Sequence, residues 1–290
     1  MMKGNMMEDK FETQDIAHIK NGDVEYLQFK ILNKYSNKLK HAITLSHGGV
    51  SGNEYKSLNF RSSGKDLREN VSENLNIICN KLGINSYDVY KARQAHTDNI
   101  LIINNENKNG YAFREFKDDE YDGYILNENN IATLVTTADC NPVIIYDPVK
   151  NIVANIHSGW KGTVKQIYLK AIDILHYKFG SNYNNLIVCV GPSIGKCCFD
   201  SEEEKFKENF INVWKNEKDY LSYEKNSKRF HIDLPYLIKS DCIKIGVKEE
   251  NIILSNICTM CNNEDFFSYR KNTKDGKKDY GTGATIVELI

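Results

Sequence analysis

The chain has 290 residues, enough to bury about 75% of its unfolded surface around a substantial core. Its 38 Lys and Arg balance 39 Asp and Glu, which removes the global pull toward nucleic acid or an anionic membrane surface. No apolar run approaches a bilayer span and the N-terminus has no signal-like apolar segment, so the eight cysteines are expected to be reduced thiols in a cytoplasmic protein.

Residues 1–20 are polar and expected to be a flexible N-terminus. Residues 24–32 read as a strand. The first clear helix falls at 65–82, where Leu67, Val71, Leu75, Ile78 and Leu82 share one face and Gly83 supplies a stop. Residues 99–103 form a strand candidate, and the charged stretch 104–119 reads as a surface excursion. A strand follows at 131–137. Two apolar runs, 143–146 and 152–156, then flank Asp147, Pro148 and Asn151, which is hairpin chemistry. A helix is predicted over 163–179, ending at Gly180, with a buried strand at 186–190. Helices at 202–215 and 235–245 and strands at 251–254 and 284–289 complete the pattern. Helices and strands intermix, and with only 4 Pro there is no linker-like break. The simplest reading is one mixed α/β (α+β) domain over residues 21–290.

The hairpin carries the chemistry. If its strands pair across the turn, facing residue numbers sum to roughly 298, which brings Cys140 to the neighbourhood of His157 at the open end. A thiol beside an imidazole is either a metal site or a nucleophile with its base. His96 precedes a strand and adds a second imidazole. One thiolate and two imidazoles suit zinc with an open fourth position. Free cysteines are also often plain core residues, so the spacing alone leaves both readings open. Cys258-x-x-Cys261 lacks a partner pair and reads as two ordinary thiols. Adjacent Cys197 and Cys198 read as packing residues.

Gly-Gly-Val-Ser (48–51), Gln-Ala-His (94–96), Thr-Ala-Asp-Cys-Asn-Pro (137–142), His-Ser-Gly-Trp-Lys-Gly-Thr (157–163), Gly-Pro-Ser-Ile-Gly (191–195), Cys-Thr (258–259) and Phe-Phe-Ser-Tyr-Arg (266–270) occur in this order. Together they resemble the bacterial YfiH/YlmD family, also called peptidoglycan editing factors, polyphenol oxidases or laccase-domain proteins. The resemblance runs from about residue 42 to 289. It implies a compact α/β sandwich, a mixed-sheet fold flanked by helices, with a metal held by His96, Cys140 and His157. It departs at Ser46, where many relatives carry Arg two residues before the Gly-Gly pair. If that Arg binds an anion, either another cation such as Lys161 or Arg270 serves here or anion affinity is lower.

The activities that the resemblance implies are phosphorolysis of purine nucleosides, adenosine deamination, phenol oxidation and editing of a peptidoglycan precursor. A laccase needs a trinuclear copper cluster and a separate blue-copper site, whereas this chain has 7 His and only two in the ligand strings. The expectation is therefore a zinc enzyme (copper also accepts these ligands) acting on adenosine, inosine or methylthioadenosine with phosphate, and deaminating adenosine as a side activity. A copper polyphenol oxidase, or a cysteine hydrolase with Cys140 as nucleophile, is the alternative. Asp139 is the proton carrier nearest to the metal in sequence, or else it orients a ligand. Lys161, Arg270 and Gly-rich backbone are expected to hold phosphate. Asn59, Gln94 and Ser193 are read as contacts to the nucleoside. The expected partners are a nucleoside and phosphate, with no nucleic acid or membrane.

Overall fold

A computed structural model of the protein describes residues 9–113 and 119–290. Two six-stranded sheets dominate it. The first runs, in spatial order, Ile16–Asn21 (β1), Val24–Phe29 (β2), Leu39–Thr44 (β3), Gly283–Leu289 (β15), Ile131–Thr137 (β7) and Val89–Tyr90 (β4). The second runs Ile252–Leu254 (β14), Ile187–Val190 (β10), Asn141–Asp147 (β8), Ile152–Ser158 (β9), Gly123–Leu126 (β6) and Ile100–Ile103 (β5). Both sheets are antiparallel at their centres; the first has a parallel pair only at its β7–β4 margin, and the second has one at each margin, β14–β10 and β6–β5. A small third sheet joins Asp200–Ser201 (β11), Arg229–Ile232 (β13) and Leu221–Glu224 (β12).

The large sheets pack face to face. Leu27, Val135 and Val287 of the first share one apolar layer with Tyr124, Ile144 and Val153 of the second. Their outer faces carry helices. Arg68–Leu82 (α2) lays Val71, Leu75 and Ile78 over Ala42, Leu134 and Ile286. Ile167–Phe179 (α4) and Leu234–Lys244 (α7) cover Ile125, Ile145, Ala154 and Val188. This is the expected helix-flanked mixed sandwich. It explains why β8 and β9 read as nearly continuous apolar runs: both faces are covered and every residue of both strands is buried. Each such Ile or Val contributes about 1.5–3 kcal/mol by its burial. No helix among the described residues is long and apolar enough to cross a membrane.

Several expectations are corrected. Residues 16–20 are not loose: they form most of β1, paired along β2 and pinned by buried Ile16, with Phe11 against Phe266. Residues 1–8, and part of the 104–119 excursion, lie outside the described residues. The strand expected over 24–32 ends at Phe29 and turns into the short helix Lys30–Asn33 (α1). The hairpin register is shifted by one, so that Pro142 faces His157 and Asp147 faces Ile152. The helix expected over 163–179 is two helices, Trp160–Val164 (α3) and α4, broken at Gln166 with φ of 54°. The break sends the Gln166 amide to the buried Asp241 carboxylate, which also accepts from Tyr168 Oη and Trp214 Nε1. It leaves α3 as a short turn directly after β9, presenting Trp160 and Lys161 beside the hairpin mouth. The helix expected over 202–215 is Glu204–Ile211 (α5), followed by the single turn Glu217–Tyr220 (α6). The last helix is Tyr269–Lys274 (α8), capped by the Ser268 side chain.

A candidate metal centre at the hairpin mouth

Three connections meet where β8 begins and β9 ends. Cys140 closes the turn between β7 and β8, His157 sits within β9, and His96 lies on the segment joining β4 to β5. Ligand atoms of the three all lie within 4.8 Å of one another. Cys140 Sγ is 3.7 Å from His96 Nε2, and the imidazole centroids are 5.0 Å apart. Zinc bonds of about 2.3 Å to sulfur and 2.0–2.1 Å to nitrogen, at a tetrahedral angle, separate such atoms by about 3.6 Å. The donor set and spacing therefore fit one metal with a position left open.

Asp122 organises two of these ligands, and sequence reasoning missed it. It is fully buried just before β6. Its Oδ1 meets His157 Nδ1 at 2.7 Å and accepts the His96 amide at 3.1 Å. Its Oδ2 accepts the Ala95 and Thr97 amides and the Thr97 hydroxyl. With Nδ1 engaged, His157 offers Nε2 to the centre, an arrangement usual for a ligating imidazole. Burial opposes charge on Asp122, but His157 and the Thr97 donors outweigh it and hold the carboxyl at about 2. Burial likewise pushes the Cys140 thiol up, and the two imidazoles overcome that and favour the thiolate. Burial disfavours the His157 imidazolium, whereas Cys140 and Asp122 together favour it. Gly159 roofs the centre: a Cβ there would lie 2.6 Å from His96 Cδ2 and 2.9 Å from Cys140 Sγ.

The centre opens into a cavity of about 740 Å³. Basic side chains line it: Arg61, Arg68, Lys91, Arg93, Lys161 and Arg270. Aromatic side chains are interleaved with them: Phe113, Trp160, Phe199, Phe206, Tyr269 and Tyr280. The Arg61 guanidinium lies 3.8 Å from the Tyr280 ring centroid and pairs with Asp279. Burial lowers Lys91 to about 8 against the opposing pull of Asp122. Among the described residues Lys161 has no carboxylate partner; its ammonium lies 5.6 Å from the Trp160 ring. Of the basic residues only Lys161 and Arg270 stand in one of the ordered motifs.

The expected nucleoside and phosphate contacts divide. Asp139, Gln94, Lys161 and Arg270 line the cavity. Asp139 is buried at φ 83°, and its two oxygens accept from the Thr259 hydroxyl at 2.6 Å and the Arg270 amide at 2.7 Å. Burial raises its carboxyl above the ordinary value despite those donors. Its hydrogen bonds tie the turn that carries Cys140 to two later loops, which matches orientation better than proton delivery. The Gln94 amide is spent on Thr136 backbone and hydroxyl. The Arg270 guanidinium turns toward Asp200 and the Cys198 carbonyl. Asn59 lies outside the cavity, holding Asp66 and the amides of Arg61 and Thr282. Ser193 lines a different cleft. Ser46 is buried in backbone bonds to Asp265, Ser57 and Leu58.

The other five histidines are placed elsewhere. His18 meets Asp9 and Glu25, His41 accepts the Phe29 amide, His47 meets Asp265, His176 stacks on Tyr183, and His231 meets the Lys196 carbonyl. The described residues thus assemble no trinuclear histidine cluster of the multicopper type.

Known proteins resemble this chain in sequence and in fold. A purine nucleoside phosphorylase of Bacteroides thetaiotaomicron is 28% identical over 256 residues, covering 86% of this chain and 92% of that protein. Adenosine deaminase RL5, from an unknown prokaryotic organism, is 29% identical over 241 residues, covering 79% and 88%. The crystal structure of Bacillus licheniformis hypothetical protein YfiH superposes with a TM-score of 0.83 at 24% identity, over 94% of this chain and 99% of that one, and so shares its fold. Residues 40–289 match the family model described as multi-copper polyphenol oxidoreductase laccase, and the chain belongs to that family, whose YfiH and YlmD members its ordered motifs resemble.

Proposed function

We propose that this protein is a metal-dependent purine nucleoside phosphorylase. The substrates would be adenosine, inosine or methylthioadenosine with inorganic phosphate, and adenosine deamination would be a side activity. The observation that carries this reading is one cavity that joins a Cys–His–His centre to a lining of basic and aromatic side chains. Relatives named for phosphorolysis and for deamination support it.

His96, Cys140 and His157 would hold zinc, or copper where that is the metal supplied. A metal there supplies Lewis acidity at its open position. The chain's own groups account for the rest. Aromatic faces such as Tyr280 and Phe206 give a purine a stacking surface. Lys161, Lys91 and Arg61 would neutralise phosphate and fix it against the sugar. Attack of a phosphate oxygen on C1′ forms one C–O bond as the C1′–N9 bond breaks. Positive charge building on the sugar is stabilised by the adjacent dianion, and the electron pair leaves with the base. Asp122 keeps His157 in one tautomer, and Asp139 keeps the Cys140 turn in place.

Product chromatography with adenosine tests the reading. Adenine that appears only when phosphate is present is the expected result. Inosine formed equally well without phosphate, with no adenine, would replace phosphorolysis by deamination. Oxygen uptake with a phenol and no nucleoside turnover would refute both.

A further inference from the structure

Four of the eight cysteines converge where the nucleoside chemistry has no use for them. Cys197 and Cys198 lie in the turn after β10, and Cys258 and Cys261 in the turn after β14. All four Sγ atoms lie within 4.8 Å of one another. Cys261 Sγ is 3.7 Å from Cys197 Sγ and 3.5 Å from Cys198 Sγ. All four are free thiols. Four thiolates around zinc at about 2.3 Å stand about 3.8 Å apart. The Cys258-x-x-Cys261 motif thus has the partner pair that its sequence context lacks.

The backbone is shaped around the sulfurs. The Gly195 amide donates to Cys258 Sγ at 3.3 Å, and the Cys261 amide donates to the same sulfur. Such N–H···S bonds steady a ligating thiolate. The Cys198 and Phe199 amides both donate to the Gly195 carbonyl at 2.9 Å, closing the turn that lets two adjacent thiols reach one point. A Cβ on Gly195 would lie 3.3 Å from both Cys197 Sγ and Cys258 Cβ, so a side chain there would crowd the cluster.

We propose that Cys197, Cys198, Cys258 and Cys261 form a structural tetrathiolate site for a divalent metal of zinc type, in addition to the His96–Cys140–His157 centre. Binding transfers four thiol protons to water and moves no electrons. The site clamps two loops that reach the catalytic cavity. Thr259, between two of its ligands, donates to Asp139, and Ile194 donates to the Asp139 carbonyl. The Cys198 carbonyl accepts from Arg270. The metal is therefore a positioning element behind the turn that carries Cys140.

The test uses the full chain with the first centre silenced by His96→Ala and Cys140→Ser, then loaded with cobalt(II). The expected result is one cobalt per chain with sulfur-to-cobalt charge transfer and intense tetrahedral d–d bands, both diminished by a further Cys261→Ser. Absence of bound cobalt, or a spectrum indifferent to Cys261→Ser, overturns the proposal. Alkylation of the unaltered protein, read by peptide mass spectrometry, guards against misfolded variants. Cys197 and Cys261 are exposed, so zinc should slow their modification at least about tenfold and a chelator should restore it. Equal rates with and without zinc, or a disulfide among the four in the purified protein, also overturn it.

Discussion

Gly159→Ala isolates the geometry of the Cys–His–His centre without touching a ligand. The residue has φ −66° and ψ 174°, a conformation that alanine adopts without strain. The perturbation is therefore the methyl group alone. It would lie 2.6 Å from His96 Cδ2 and 2.9 Å from Cys140 Sγ. Ordinary contact needs about 3.5–4.0 Å, so one or both ligands must move by roughly 1 Å. Overpacking of this kind costs about 1–3 kcal/mol. In the metal-free protein, His96 can swing outward on its exposed loop. With metal bound it cannot, so most of the cost falls on binding. The expected result is metal affinity weakened about ten- to hundredfold, the range seen when groups supporting a ligand are altered. The unfolding midpoint of the metal-free protein should move little. Competition with a calibrated chelator measures the first quantity and urea unfolding the second. Unchanged affinity in a folded Gly159→Ala protein would refute the placement of Gly159 over the ligands.

Three other outcomes follow from the structure. Burial holds His41 at about 3, with its Nε2 accepting the Phe29 amide. Between that value and the ordinary 6.5, the unfolded chain binds a proton that the folded chain refuses, so this contribution is complete above pH 6.5 and is lost as pH falls toward 3. Urea unfolding should show stability dropping by up to about 1.4 kcal/mol per pH unit, and His41→Gln, which keeps an acceptor, should remove that part of the slope. An identical slope in the variant refutes the assignment. Lys161→Ala should raise the apparent KM for phosphate several-fold more than that for nucleoside, and an unchanged phosphate dependence removes Lys161 from the site. Asp122→Asn keeps the shape but turns an N–H₂ toward the Ala95 and Thr97 donors. It should cost about 3–5 kcal/mol in stability and weaken metal binding as well, and loss of stability alone would show that His157 needs no orientation from Asp122.

Much of the fold is legible from periodicity. Helix α2 follows from its apolar spacing and Gly83, and β8 and β9 from their apolar runs around a turn-forming loop. The hairpin already brings Cys140 toward His157, although its register is one residue off because Val149 and Lys150 amides both bond to Asp147 Oδ1 and widen the turn to four residues. What local reasoning could not reach depends on distant partners. Nothing near Gln166 announces a helix break, because the cause is Asp241 on another helix. Asp122 carries no motif, yet it accepts from four groups on the 95–97 loop and meets His157 in β9. The 197–198 and 258–261 pairs each look like ordinary thiols, and only the parallel pairing of β10 with β14 sets them side by side. Asn59 stands in a Gly- and Ser-rich neighbourhood that suggests a pocket, but its amide is used in holding that loop to Asp66 and Thr282.

The most direct test of the central claim measures bound metal and phosphate-dependent adenine release on the same preparations of unaltered protein and Cys140→Ala. A Lewis-acidic centre at His96, Cys140 and His157 predicts that the variant stays folded, loses metal from that centre, and loses adenine release with it. Full phosphate-dependent turnover by a Cys140→Ala protein whose centre holds no metal would contradict the account.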